Sequence, residues 1–197
     1  MKKLIAILVC LLITIGVFAQ NKLNTGLNIG YSSSTFVGHD IPGKGLASVS
    51  SALIGGYFRY GFNPRYAIQP ELNFYAKGAR INTVDNLYEY VYLGYLEIPV
   101  LFEMKFRNEK KLKPIIYAGP AIGINTNASG SRGYLTNVRK MDGSMIAGMG
   151  IEIWKLSFQV RYGLGLTRFD NSDQNLNLRN STLSMLVGFN FVTKKEP

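Results

Sequence analysis

From Leu23 onward the chain alternates apolar and polar residues with a period of two. Within the alternating stretches every charge keeps to the polar parity. That period belongs to extended strands, whose successive side chains point to opposite faces; no helical period competes with it. Eight strand segments are predicted: Leu23–Tyr31, Ser51–Gly61, Ala67–Gly78, Val91–Phe106, Pro114–Asn125, Gly143–Trp154, Leu156–Thr167 and Asn180–Val192. The seventh is the cleanest. Leu156, Phe158, Val160, Tyr162, Leu164 and Leu166 share one face, and Ser157, Gln159, Arg161, Gly163, Gly165 and Thr167 the other. In the eighth, Leu183, Met185, Val187, Phe189 and Phe191 stand against Ser184, Gly188 and Asn190. Arg59, Glu71, Lys77, Glu97, Glu103, Lys105, Glu152 and Arg161 all fall opposite the apolar faces. Lipid imposes this rule, because an Arg or Lys on the lipid face costs roughly 2–4 kcal/mol at the bilayer midplane.

The connections alternate in length. Ser32–Ser50, Ala79–Tyr90, Thr126–Asp142 and Arg168–Arg179 are long; Phe62–Tyr66, Arg107–Lys113 and the junction Trp154–Leu156 are short. Membrane barrels of the bacterial outer membrane combine short periplasmic turns with longer outer loops. The expected fold is therefore all-β: an eight-stranded antiparallel transmembrane up-and-down β-barrel with both termini on the periplasmic side. Aromatics at segment ends predict two interfacial girdles. Phe62, Tyr66, Phe106, Trp154 and Phe191 would form one on the turn side, and Tyr31, Tyr92 and Phe169 one on the loop side. Pro70, Pro99 and Pro120 fall inside segments. Proline cannot donate to a ladder, so bulges or local breaks are expected there.

Ahead of the barrel, Lys2 and Lys3, the apolar run Leu4–Val17 and the small residue Ala19 read as a secretory signal peptide. The expected domains are a signal peptide over 1–19 and a barrel over 20–197, exported through the Sec pathway to the outer membrane. Cleavage removes Cys10, the only cysteine, and with it any disulfide or thiolate site. It also lowers the formal charge from +10 to +8 by taking Lys2 and Lys3. With 12 tyrosines, 11 phenylalanines, 21 glycines and 17% charged residues, the composition suits lipid better than water. No basic helix or aromatic–basic cluster points to nucleic acid. Lipid headgroups and lipopolysaccharide phosphates suit the basic loops better.

No catalytic set stands out. His39, the only histidine, lies in the first long connection near Ser32, Ser33 and Ser34; alone it cannot hold a metal, and no cofactor is expected. Gly26 and Gly30 spell GxxxG, but in a strand rather than a helix. The residues singled out as a site are a barrel-interior polar cluster of Gln69, Glu71, Asn73, Glu97, Gln159 and Arg161. Eight strands leave room only for side chains, and buried charges there must pair. A structural plug is the expected role, with a conducting or proton path as the alternative.

The stretches Gln69-Pro70-Glu71-Leu72, Leu96-Glu97-Ile98-Pro99-Val100-Leu101, Ala118-Gly119-Pro120 with Gly123, and Arg161-Tyr162-Gly163-Leu164-Gly165-Leu166 give the chain its resemblance to the PorT-like outer-membrane β-barrel domain family. The resemblance implies a barrel with lumen-facing Glu and Arg, prolines at these places, and in some members an accessory role in protein secretion. Barrels of this kind often end on an aromatic, whereas here Phe191 is followed by six further residues. The expected function is a non-enzymatic structural or loop-mediated role, with outer-membrane lipids, lipopolysaccharide and other envelope proteins as partners. An accessory secretion subunit and a lipid-modifying enzyme are the rivals. A soluble lipocalin-like barrel, apolar inside, is the rival fold.

Overall fold

In the computed structural model of the chain, residues 23–37, 46–82, 88–106, 112–130, 140–167 and 179–191 are described. Their strands are β1 (Leu23–Val37), β2 (Leu46–Gly61), β3 (Tyr66–Asn82), β4 (Tyr88–Lys105), β5 (Leu112–Gly130), β6 (Met141–Ile153), β7 (Leu156–Gly165) and β8 (Arg179–Asn190). Each pairs antiparallel with its sequence neighbours, and β1 pairs with β8, so the sheet closes into a barrel. No helix interrupts the described residues. The proposed signal segment, His39 and Phe169 lie outside them.

The alternation decides which way the sheet faces. Ile29, Ile54 and Met149 are 66%, 61% and 65% exposed on the outer surface, whereas Glu71 is 4% exposed inside. All eight charges assigned to the polar parity turn inward. A soluble barrel has the opposite polarity, so the lipocalin-like alternative is excluded. The turn-side aromatics Phe62, Tyr66, Phe106, Trp154 and Phe191 are exposed, as a girdle requires. Tyr66 stacks on Phe102, and Phe189 meets Phe191 edge-on. On the loop side Tyr31 is exposed and donates a hydrogen bond to Ser50 Oγ.

The strands run further than the sequence pattern indicated. β1 to β5 span 15 to 19 residues, more than the roughly 9–11 that cross a bilayer. The extra length lies at the loop ends, where apolar alternation fades. Ser32, Ser33 and Ser34 thus belong to β1 rather than to a loop. There the ladder β1–β2 continues through Ser34↔Val49 without needing a greasy outer face. On the turn side the connections are short. At 62–65, Asn63 Oδ1 accepts from the amides of Arg65 and Tyr66 at 2.8 Å each. At 154–155, Trp154 adopts φ 57°, a left-handed backbone that a two-residue hairpin turn demands.

Of the bulges or local breaks expected at the prolines, the structure shows local breaks. Pairing of β3 with β4 lapses opposite Pro99 and resumes in the same register, from Asn73↔Glu97 to Pro70↔Val100. β2–β3 lapses likewise at Pro70 and β4–β5 at Pro120. A missing amide removes hydrogen bonds without adding a residue, so the register survives. The actual shifts fall between Ser48 and Leu53 and between Gly94 and Tyr95, toward the loop side. Gly119 permits a close approach beside Pro120: a Cβ there would lie 2.0 Å from the Val100 carbonyl oxygen.

This orientation predicts that Ile54→Arg, in the outward apolar band, lowers unfolding free energy in lipid vesicles by about 2–4 kcal/mol. Denaturant titration of the folded barrel measures it; an unchanged midpoint would contradict a lipid-facing Ile54.

Candidate functional site

The inward parity of the eight strands stacks polar side chains in three tiers, because equivalent residues on successive strands meet at similar heights. The middle tier centres on Arg161 of β7 and Glu71 of β3. Arg161 reaches across the lumen and grips both Glu71 oxygens, Nη1 to Oε2 at 2.5 Å and Nη2 to Oε1 at 2.9 Å. Its Nη2 also donates to Gln159 Oε1 at 2.7 Å, and its Nε to Tyr117 Oη at 3.2 Å. Glu71 accepts further from Gln69 Nε2 at 2.6 Å and Asn73 Nδ2 at 2.9 Å. Such forked geometry is the strongest form of Arg–carboxylate contact.

Five of the six residues in the sequence-derived cluster meet in this tier. The sixth, Glu97, is in the lumen but one level toward the loops. It accepts from Lys77 Nζ at 2.7 Å, Tyr75 Oη at 2.8 Å and Ser144 Oγ at 3.4 Å. Lys77 Nζ also lies 4.6 Å from the Tyr95 ring centroid. The register explains the separation: Glu97 pairs with Asn73, above Glu71 on β3.

The turn-side tier was visible only as isolated charges. Arg59 makes an ion pair with Glu152, and its Nη2 faces Glu103 Oε2 at 3.0 Å without hydrogen-bond alignment. Lys105 Nζ binds Glu152 Oε2 at 2.8 Å and lies 3.8 Å from Glu103 Oε1. Gln69 links this tier to the middle one, accepting from Arg59 Nε at 2.7 Å while donating to Glu71. Tyr57 Oη donates to Asn190 Oδ1 at 2.6 Å and ties β8 into the same tier. Parity was the signal for all of these residues, including the tyrosines, but the partners depend on heights that one strand cannot reveal.

Apolar residues fill the remaining lumen. Leu53, Tyr75 and Leu186 form one buried group, and Leu101, Ile115, Tyr117, Ala121 and Ile146 another. A cavity of about 20 Å³ persists among Lys77, Glu97, Ser144, Arg161, Asn180 and Thr182, room for a water molecule or two. Near it, Asp142 is buried with no cation in ion-pair reach among the described residues. Its Oδ2 accepts from Asn180 Nδ2 at 3.2 Å, and its Oδ1 has no hydrogen-bond partner. Gly123 makes space for that carboxylate, since a Cβ there would lie 2.2 Å from Oδ1.

Ser32 and Ser34, once neighbours of His39 in a catalytic reading, turn into the lumen. Ser32 Oγ is 2.8 Å from Ser51 Oγ, and Ser34 Oγ is 2.9 Å from Thr182 Oγ1. No three-residue His, Cys, Asp or Glu group able to hold a metal occurs among the described residues.

Residues 18–171 match the family model described as outer membrane protein beta-barrel domain. No curated protein matches the chain. Among solved structures it is similar to OprG from Pseudomonas aeruginosa, with a TM-score of 0.55 and 10% identity over 87% of this chain and 95% of that one. Neisserial surface protein A gives 0.51 and 12%, covering 85% and 97%. Ail, the attachment invasion locus protein of Yersinia pestis, solved with the heparin analogue sucrose octasulfate, gives 0.50 and 13%, covering 86% and 99%. At such identities the likeness is one of fold.

The tiers predict unequal responses to charge removal. Glu71→Gln leaves Arg161 buried without its counter-ion and is expected to cost about 3–5 kcal/mol of barrel stability. Removing both charges with Glu71→Met and Arg161→Met recovers part of that loss. Asp142→Asn removes a carboxylate that has no counter-ion among the described residues, so stability holds or rises. Urea melts of the three variants check this; equal losses in Glu71→Gln and Asp142→Asn would contradict it.

Proposed function

Starting from the outer membrane protein beta-barrel domain family, to which this chain belongs, we propose that the protein is a non-enzymatic outer-membrane scaffold acting through its loop-side segments. One observation carries the reading: ion pairs from Arg161 to Glu71 and from Arg59 to Glu152 cross the lumen, and a cavity beside the upper tier measures only about 20 Å³. A lumen filled at three levels supports a rigid plug over an open channel. Rigid scaffolds present binding segments at their connections. The barrel's four loop-side connections, at 38–45, 83–87, 131–140 and 166–178, all open on one side, and three of them are longer than any turn-side connection. Lipopolysaccharide and other envelope proteins are the partners proposed for that side.

Export follows the same reading: a Sec signal over 1–19 is removed and the mature chain begins at Gln20. The inward-facing Ser32 and Ser34 favour a structural over a lipid-modifying role, because their hydroxyls are buried in the lumen against Ser51 and Thr182, away from the acyl chains outside. A narrower reading, PorT-like accessory work in a secretion complex, has support from where the family-like stretches lie. Gln69, Glu71, Glu97, Gly123 and Arg161 are all at the lumen, where side chains set the barrel's internal chemistry.

In planar bilayers the purified barrel is expected to show no sustained single-channel steps, and intact-mass measurement to give a chain starting at Gln20. Stable unitary conductance in the unaltered protein would contradict the plug. Replacing 131–140 by a short glycine–serine turn should leave the barrel folded and abolish co-purification of envelope partners; unchanged co-purification would remove that connection from the binding surface.

A further inference from the structure

Charge is not shared evenly between the two ends of the barrel. The turn-side connections, 62–65, 106–111 and 154–155, total 12 residues and hold Arg65, Arg107, Lys110, Lys111 and Lys155 against Glu109 alone. Lys113, the second residue of β5, pairs opposite the inward Glu152 and is not part of the outer rim; at the loop ends of the strands Arg80 and Arg179 are offset by Glu89 and Asp142. The loop-side connections total 36 residues. They hold as many basic residues, Lys44, Arg132, Arg139, Lys140 and Arg168, but against Asp40, Asp85, Asp170 and Asp173. The four inward ion-pairing cations are matched by Glu71, Glu97, Glu103 and Glu152. The chain's basic excess therefore sits largely at the turn end, away from the loops to which lipopolysaccharide was assigned.

We propose that this turn-side rim binds anionic phospholipid headgroups in the periplasmic leaflet of the outer membrane. Two features select a lipid surface over an acidic protein. First, the basic residues ring the barrel at three separate turns, as a surrounding leaflet requires, instead of gathering on one side. Second, each turn carries an exposed aromatic beside its cation. Phe62 accompanies Arg65, Phe106 accompanies the 107–111 stretch, and Trp154 accompanies Lys155. Lys155 Nζ lies 5.9 Å from the Trp154 ring centroid. Aromatic rings take the headgroup level of a bilayer, and Lys or Arg just beyond them meet the phosphates. Screening by salt is expected, because these side chains are at the surface.

The test uses the full barrel in vesicles carrying trace spin-labelled phosphatidylglycerol or phosphatidylcholine, with the motionally restricted fraction read by electron paramagnetic resonance. The unaltered protein should restrict phosphatidylglycerol at least twofold more than phosphatidylcholine at low salt, with the preference falling in 0.5 M NaCl. Combined Arg65→Gln and Lys155→Gln should remove much of that preference, while Lys140→Gln with Arg179→Gln on the loop side leaves it intact. Heat-dependent gel migration verifies that each variant is folded. Equal restriction of both lipids, or a preference lost only in the loop-side variant, would overturn the proposal; the former would hand the rim to an acidic protein.

Discussion

The ion pair between Arg161 and Glu71 crosses the lumen from β7 to β3, and much of the interior is arranged around it. A guanidinium enclosed by a closed sheet has no bulk water to solvate it, so its charge must be answered from the opposite wall. Glu71 answers with both oxygens, and Gln69, Asn73, Gln159 and Tyr117 take up the remaining donors and acceptors. Because Gln69 also binds Arg59, the middle and turn-side tiers form one continuous network. Strands far apart in sequence are thereby fixed in relative height, a constraint that backbone pairing between neighbours does not supply alone.

The outer surface follows from the same parity. Once the charged positions turn inward, the alternate positions present Leu, Ile, Val, Met and Phe outward, and lipid is the medium that accepts them. Closure removes the exposed strand edge that an open sheet would leave in hydrocarbon. The loop ends, where β1 to β5 extend beyond the apolar band, behave differently: their outward positions include Ser33, Ser48 and Ser50, with Val37 exposed at the tip of β1. The fold thus has a membrane-set middle and a water-set upper rim, with Asp142 and Asn180 buried near the boundary.

Parity made the strand count, the closure and the inward charges legible, since each depends only on which side of an alternating segment a residue takes. β7 is the plainest example, its burial alternating from Leu156 through Tyr162 as its sequence does. Strand length was less legible, because serine-rich outer extensions such as Ser32–Ser34 resemble loop sequence while still pairing by backbone. The prolines were legible as ladder breaks but not as to which kind: Pro70, Pro99 and Pro120 cost hydrogen bonds without costing register. Apolar residues inside the lumen, Leu101, Ile115 and Leu186 among them, break the simple alternation and carry no sequence mark of their inward placement. The grouping of Glu97 with Lys77 instead of Arg161 depended on inter-strand stagger, which no single segment encodes.

The account rests on the direction in which alternate side chains face, and that direction can be read residue by residue. With Cys10→Ser removing the only native cysteine, single cysteines are placed in turn at 183 to 189 of β8 and spin-labelled in bilayer-embedded protein. Relaxation by lipid-dissolved oxygen should be high at 183, 185, 187 and 189 and low at 184, 186 and 188. A reversed phase, or no alternation at all, would contradict the outward placement of the apolar face.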